Sequence, residues 1–173
     1  MITVDTRNTK LAKESAQDLV LPSTTRAIEP GQFARSNLSS IVIPEGLTTI
    51  GSVAFSYCKS LTSITIPNSV KSIGSSAFSG CTKLKQLILL PSTPPTLGSD
   101  AIPSTISKIY VQQSFKAAYQ AATNWATFAS KIVSDNIYLS FVRFNQKNKK
   151  YINEKISEFK FSVPTRSQVD LLF

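Results

Sequence analysis

A repeated segment of 23 residues constrains this chain more than any other feature. The segment LTTIGSVAFSYCKSLTSITIPNS, which begins at Leu47, aligns with VKSIGSSAFSGCTKLKQLILLPS, which begins at Val70. An L-x-x-L-x-L pattern recurs at nearly the same spacing, and a weaker copy lies around Leu19. The clear copies start at Leu38, Leu61, Leu84 and Ile106. A fixed period of this length is typical of solenoids, in which each repeat forms one rung of a stack, and we count five rungs.

A single rung is too short to bury its own apolar side chains, so the rungs must stack to form a core. Side chains alternate along a strand, and we therefore predict that Ile64 and Ile66 point into the stack while Thr65 points outward. Neighbouring rungs then form a parallel sheet with strands about 4.8 Å apart. The interior behind the strands is predicted to contain Ile50, Phe55, Ile73 and Phe78.

The repeated motif I-G-x-x-A-F-x-x-C-x-x-L-x-x-I-x-I-P resembles the BspA-type leucine-rich repeat of bacterial surface proteins. The resemblance covers about Leu19 to Val133, and the segment from Lys108 to Ile132 is similar to the way such arrays end, with a short helix and a Trp. It implies a leucine-rich-repeat solenoid that is displayed on a surface. The first rung departs from the motif at Gln32 and has Ser36 in place of Cys, and the fourth loop has no A-F-x-x-C.

Four segments follow from this organisation. We predict a cap or attachment segment over residues 1–18, the five-rung solenoid over 19–113, a helical cap over 114–135 and a non-repeat assembly segment over 136–173. In the helical cap Ser114 is the predicted N-cap of the helix. Trp125, Phe128 and Ile132 are predicted to extend the apolar surface that covers the last rung. The apolar face of the predicted helix contains Phe115, Ala118, Tyr119 and Ala122.

The C-terminal segment differs in composition from the repeats and is expected to be β-rich. The run NIYLSFVRFN has apolar residues on both faces of a strand, while YINEKISEFKFSV fits either a strand or a helix, and we favour a hairpin. Its surplus of apolar residues predicts symmetric association or docking to a larger assembly. The residues assigned to assembly are Ile137, Leu139, Phe141, Phe144, Phe159 and Phe161.

Residue types exclude most catalytic designs. The chain has no His, and no phosphate-binding glycine motif occurs, so neither a His-based active site nor a nucleotide site is expected. Two cysteines cannot fill a four-ligand zinc site, and we predict that Cys58 and Cys81 are free, buried thiols. The sequence therefore predicts a non-enzymatic protein without cofactor or metal.

The outward side chains of the strands are the candidate contact surface for a protein or glycan partner. The residues assigned to it are Val20, Val42, Thr65, Ile88, Lys108 and Tyr110. Because Tyr110 is aromatic and lies beside Lys108 at the edge of the predicted sheet, we expect it to be an exposed hot spot. Packing of Tyr110 on the cap is the alternative.

Two further predictions concern location and charge. The first 20 residues lack the apolar region of a secretory signal, so we expect synthesis in the cytoplasm followed by display as a phage virion component. A bacterial cell-surface adhesion protein that lacks its signal is the alternative. No apolar run is long enough to span a membrane.

The net charge of +9 also permits binding to a polyanion, either nucleic acid or an acidic glycan. The candidate residues are Arg143, Lys147, Lys149 and Lys150.

Overall fold

The computed structural model of the protein describes residues 18–136 together with residues 139, 140, 142 and 148. Its strands, in chain order, are β1 (Asp18–Val20), β2 (Ala27–Ile28), β3 (Ser40–Val42), β4 (Thr49–Ile50), β5 (Ser63–Ile66), β6 (Ser72–Ile73), β7 (Gln86–Leu89), β8 (Thr96–Leu97), β9 (Lys108–Tyr110) and β10 (Ile132–Val133). The strand pairs in this part of the chain are all parallel. The predicted short-strand leucine-rich-repeat solenoid is therefore confirmed.

Each of the first four rungs contributes one strand to each of two series, and β9 and β10 extend the longer series alone. The longer series contains β1 paired with β3, and β5, β7, β9 and β10 in that order. The second series has the order β2-β4-β6-β8, and its two-residue strands were not predicted from sequence. The register in both series advances by one repeat, since Ile64 pairs with Leu87 and Ile50 with Ile73. Ile64 and Ile66 are buried, as the alternation predicts.

A column of aromatic rings fills the interior between the two series. Phe33 stacks on Phe55 with ring centroids 5.4 Å apart, and Phe55 stacks on Phe78 at 5.3 Å. All three rings are fully buried. Stacked aromatic pairs at this separation stabilise beyond their buried area, so the repeated Phe fixes the distance between rungs as well as the core.

The turn that carries A-F-x-x-C approaches the preceding rung very closely. A Cβ on Gly74 would lie 2.4 Å from the backbone nitrogen of Ser52, and a Cβ on Gly51 would lie 2.5 Å from that of Pro30. Real Cβ atoms do not come this close to backbone, which explains why the motif has glycine after the isoleucine. The backbone then bonds rung to rung, as when Phe55 N–H donates to the carbonyl oxygen of Ala77.

The two cysteines are free and buried, as predicted, and their thiols stabilise the stack. The Sγ atom of Cys58 donates to the carbonyl oxygen of Phe33 at 3.1 Å, and that of Cys81 donates to Phe55 at 3.0 Å. Ser36, at the equivalent position of the first rung, is buried with its Oγ 3.2 Å from the Cys58 sulfur. A small side chain that donates one weak hydrogen bond therefore suits this position, whether it is Ser or Cys.

The C-terminal cap is less helical than the predicted segment 114–135. It contains a 3-10 helix (Gln113–Phe115), the α-helix α1 (Lys116–Ala121), a second 3-10 helix (Ala126–Lys131) and strand β10. The prediction that Ser114 caps the helix is wrong, because α1 begins after Phe115 and has no side-chain cap. Ile132 also belongs to a strand, since its backbone completes the ladder next to Ile109.

Two buried aromatic residues anchor the cap to the fourth rung. The hydroxyl of Tyr119 donates to the carbonyl oxygen of Pro91 at 3.0 Å, and Trp125 Nε1 donates to that of Pro95 at 2.8 Å. The two rings meet edge to face, 5.4 Å apart. Burial raises the pKa of the Tyr119 hydroxyl above its usual range.

Backbone contacts divide the chain into a unit from Met1 to Leu139 and a unit from Ser140 to Phe173. The described residues Asn136, Leu139, Ser140 and Val142 have helical backbone, so the strand predicted for NIYLSFVRFN is wrong at these positions. Leu139 N–H donates to the carbonyl oxygen of Asp135, which is the i to i−4 bond of a helix. In this run both the odd-numbered and the even-numbered positions include apolar residues. A half-buried strand has apolar residues at every second position only, so the pattern does not fit such a strand.

Candidate functional site

The outward side chains of the longer strand series form two parallel rows. Strand register places Val20 beside Val42 and Thr65 beside Ile88, and Ile88 beside Tyr110. β3 lies next to β5, so this row continues from the first rung to the fifth. The other row begins with Asp18 and Ser40 and ends with Gln86 and Lys108. The structure therefore brings the six predicted partner-binding residues onto one face.

The N-terminal part of this face is open to solvent. Val20 is 39% exposed, and Val42 and Thr65 are half-buried. Their inward neighbours Ile41 and Ile64 are buried, so β3 and β5 keep the simple alternation of a sheet with one wet face. We call Val20, Val42 and Thr65 the open face of the solenoid.

The C-terminal part of the same face is closed. Ile88 is 3% exposed and Tyr110 is 9% exposed, so the predicted exposure of these two residues is wrong. They lie outside the main core cluster, as do the buried residues Leu90 and Leu139. Strand alternation gives the direction of a side chain but not what covers it, which explains the error. Lys108, in contrast, is exposed.

Charge also changes along the outward face. At its N-terminal edge the Ser40 hydroxyl donates to Asp18 Oδ1 at 2.6 Å. At the C-terminal end the same row reaches Lys108, with Lys131 on the neighbouring rung. The ammonium group of Lys131 donates to the carbonyl oxygen of Ser104 at 3.0 Å, and that of Lys85 donates to Thr105 at 3.3 Å. The open face therefore combines apolar and hydroxyl groups with an acidic edge.

A cleft of about 780 Å³ lies between the fourth rung and the cap, and sequence reasoning did not identify it. Its volume falls within the usual range of ligand pockets. Its walls come from the third-rung turn around Gly80, from the loop around Asp100 and Ile102, and from the cap around Asn124 and Phe128. The departure of the fourth loop from A-F-x-x-C was the one sequence signal that pointed to this region.

The described residues contain no group of three or more Cys, Asp or Glu side chains that could hold a metal ion. The two thiols are close neighbours in the interior, and the Cys58 side chain together with burial raises the pKa of Cys81. A buried thiol with a raised pKa is a poor nucleophile, because the thiolate is the reactive form. Cys81 therefore has the character of a structural residue.

Most residues of the two C-terminal predictions lie outside the described part of the chain. For assembly these are Ile137, Phe141, Phe144, Phe159 and Phe161, and for polyanion binding they are Arg143, Lys147, Lys149 and Lys150. Leu139, the described member of the assembly set, is buried within the first unit. Both assignments stay predictions.

The fold is that of a leucine-rich-repeat module. The family model for the BspA type leucine rich repeat region matches residues 7–127 in six copies, so the chain belongs to this family. The six copies exceed by one the five rungs counted from sequence. Proteins of this family are generally non-enzymatic binding modules and are often associated with surfaces.

One solved structure that the chain resembles is a leucine-rich repeat protein from Eubacterium ventriosum. It is 33% identical over 60% of this chain, with a TM-score of 0.49. The match covers 29% of that protein. No curated protein sequence matches the chain significantly.

Among the described helices, none combines the length and the apolar character needed to cross a membrane.

Proposed function

We propose that the protein is a non-enzymatic recognition module that binds a macromolecular partner through its open face. The observation that carries this proposal is the row of Val20, Val42 and Thr65, which stand on neighbouring strands with their side chains toward solvent. A wide, shallow, mixed apolar and hydroxyl surface suits a protein or glycan surface better than a small molecule, which needs a concave pocket. Lys108 adds a positive charge to the basic end of the same face.

Substitutions on the open face test this proposal against substitutions elsewhere in the repeats. Val20→Arg combined with Val42→Arg should abolish partner binding, since two bulky charges then face the contact surface. The matched control is Val53→Arg with Thr93→Arg, because both side chains are exposed in loops away from the outward face. Both variants should unfold at nearly the wild-type temperature in circular dichroism. Equal binding by both double variants to the same purified partner would place the contact elsewhere.

The second part of the proposal concerns the particle or cell on whose surface the module is displayed. We assign it to a phage virion, as the sequence predicts, with a bacterial cell surface as the alternative. A surface-associated repeat family supports display but does not distinguish between the two carriers. An antibody against the protein should label purified phage particles in immunogold microscopy. Labelling confined to the bacterial envelope would select the alternative.

A further inference from the structure

The cleft beside the fourth rung lies where the regular backbone ladder of the turns ends. In the second rung, Val53 N–H donates to the carbonyl oxygen of Ser75 and Phe55 N–H donates to that of Ala77. The third rung repeats the pattern from Ser76 and Phe78 onto the fourth. The equivalent donors of the fourth rung are the backbone N–H groups of Asp100 and Ile102.

These two donors have no acceptor among the residues that the structure describes. Every earlier donor of this kind points toward the next rung, so those of Asp100 and Ile102 point toward the cap. Both residues line the cleft. A backbone N–H group without a protein acceptor is available to bond a peptide carbonyl that enters the cleft.

The repeat itself shows which acceptor fits. At the earlier rungs the partner is a peptide segment whose carbonyls lie two residues apart, as at Ser52 and Ala54 or at Ser75 and Ala77. These segments are turns, with Val53 and Ser76 at positive φ between the two carbonyls. A peptide that forms the same turn in the cleft can present carbonyls at the same spacing. Such a segment would continue the backbone bonding that already joins the turns of successive rungs.

The cleft also has room for an apolar side chain. Ile102 occupies the position of Phe55 and Phe78, so the column of stacked rings ends at the third rung. Leu97 and Phe128 also line the cleft. An aromatic side chain that enters here would continue the column, as the next Phe does within the array.

The walls of the cleft are held in place by polar contacts. Lys131 and Lys85 bond the carbonyl oxygens of Ser104 and Thr105, and Asn124 Nδ2 donates to that of Leu97 at 2.5 Å. These bonds tie the fourth loop to the cap and to the neighbouring strands. The donors are therefore preorganised, which lowers the entropic cost of binding.

We infer that this cleft binds a peptide turn with small residues followed by an aromatic residue. Its carbonyls accept from Asp100 and Ile102, and its aromatic side chain packs against Ile102. The site is separate from the open face, so it adds a second contact to the proposed recognition function.

A synthetic peptide that copies the third-rung turn is the direct probe. The peptide SSAFS, with the sequence of residues 75–79 and both ends blocked, should bind the full chain saturably in two-dimensional amide NMR. The resonances of Asp100 and Ile102 should move downfield, as expected for amides that gain an acceptor. The peptide SSAAS should bind about tenfold more weakly, because it lacks the ring.

A blocking variant and its control complete the experiment. Thr127 lines the cleft and is exposed, so Thr127→Trp should raise the dissociation constant at least about tenfold while the fold is kept. Thr123→Trp makes the same change of residue at an exposed position of the cap outside the cleft lining, and this variant should bind as wild type does.

Three results would overturn the inference. These are the absence of saturable shifts at Asp100 and Ile102, equal binding by the two tryptophan variants, or shifts caused by neutral methyl glycosides and not by the peptide. None of them bears on the Val20 and Val42 test of the open face.

Discussion

The second rung (residues 38–60) and the fourth rung (residues 84–105) contain the same elements but differ on both sides. In the second rung Val42 is half-buried on the outward face, and the turn contains Phe55 and Cys58. In the fourth rung the outward Ile88 is buried, and the equivalent turn positions are occupied by Ile102 and Thr105. The second rung is thus interchangeable with its neighbours, whereas the fourth ends the array.

The difference shows where a repeat protein can hold functional information. A rung that matches its neighbours donates alternate turn N–H groups to the next rung, as Val53 and Phe55 do, and fills the interior with a stacked ring. The fourth rung gives up both contacts toward the cap, where Tyr119 and Trp125 anchor to Pro91 and Pro95 instead. That substitution leaves a cleft and two free backbone donors, while the regular rungs provide the open face.

Disruption of the close approach between regular rungs should have the largest effect. Gly74→Ala places a Cβ 2.4 Å from the backbone nitrogen of Ser52, so one rung must move away from the next. We expect a loss of more than about 3 kcal/mol in the free energy of unfolding, measured by urea denaturation. Gly31→Ala is the control, because its nearest neighbour is 3.8 Å away and the cost is the strain of a positive φ, about 1 kcal/mol. Equal losses would mean that the close approach is not what requires glycine.

Enlargement of a buried isoleucine should cost more stability in a regular rung than in the fourth rung. Ile73→Phe adds volume to a closed interior and should cost about 1 to 3 kcal/mol. Ile102→Phe adds the same volume beside the cleft and should cost less than about 1 kcal/mol, since the ring can continue the stack. Thermal unfolding followed by circular dichroism measures both variants. A larger loss for Ile102→Phe would mean that no space exists beyond Ile102.

The anchor of the cap predicts a pH dependence. Burial raises the pKa of Tyr119, so the folded state disfavours the phenolate more than the unfolded chain does. Stability from this residue is full below the usual tyrosine pKa of about 10 and falls as the pH rises above it. Tyr119→Phe should cost about 1 kcal/mol at pH 7 through loss of the bond to Pro91, and this difference should shrink between pH 10 and 11.

Urea denaturation across this pH range measures the effect. Tyr57→Phe is the control, because the Tyr57 ring is half exposed beneath Arg35 and has no role in the cap. This variant should follow the wild-type pH dependence. A constant gap between wild type and Tyr119→Phe at all pH values would contradict the buried anchor.

The sequence predicted the elements that depend on spacing. The positions of Ile64, Phe55 and Cys58 recur along the array, so their burial and the parallel register follow from the period alone. The burial of the outward residues Ile88 and Tyr110 could not be predicted this way, because the repeat period carries no information about what covers them. The cleft was missed for a related reason. The sequence shows that Ile102 replaces the Phe of the motif, but it does not show that the turn N–H groups beside it lack the acceptors that a following repeat turn would supply.

The contrast between the open and the closed parts of the outward face is the central claim, and hydroxyl-radical footprinting tests it most directly. The method measures how fast each side chain is oxidised from solvent, residue by residue, in the folded protein. We predict rapid oxidation at Val20 and Val42 and protection of at least about tenfold at Ile88 and Tyr110, in line with their exposure. Denatured protein, in which this protection should vanish, provides the reference rates. Rapid oxidation of Ile88 and Tyr110 in the folded protein would contradict the account, because the outward face would then be open along its whole length.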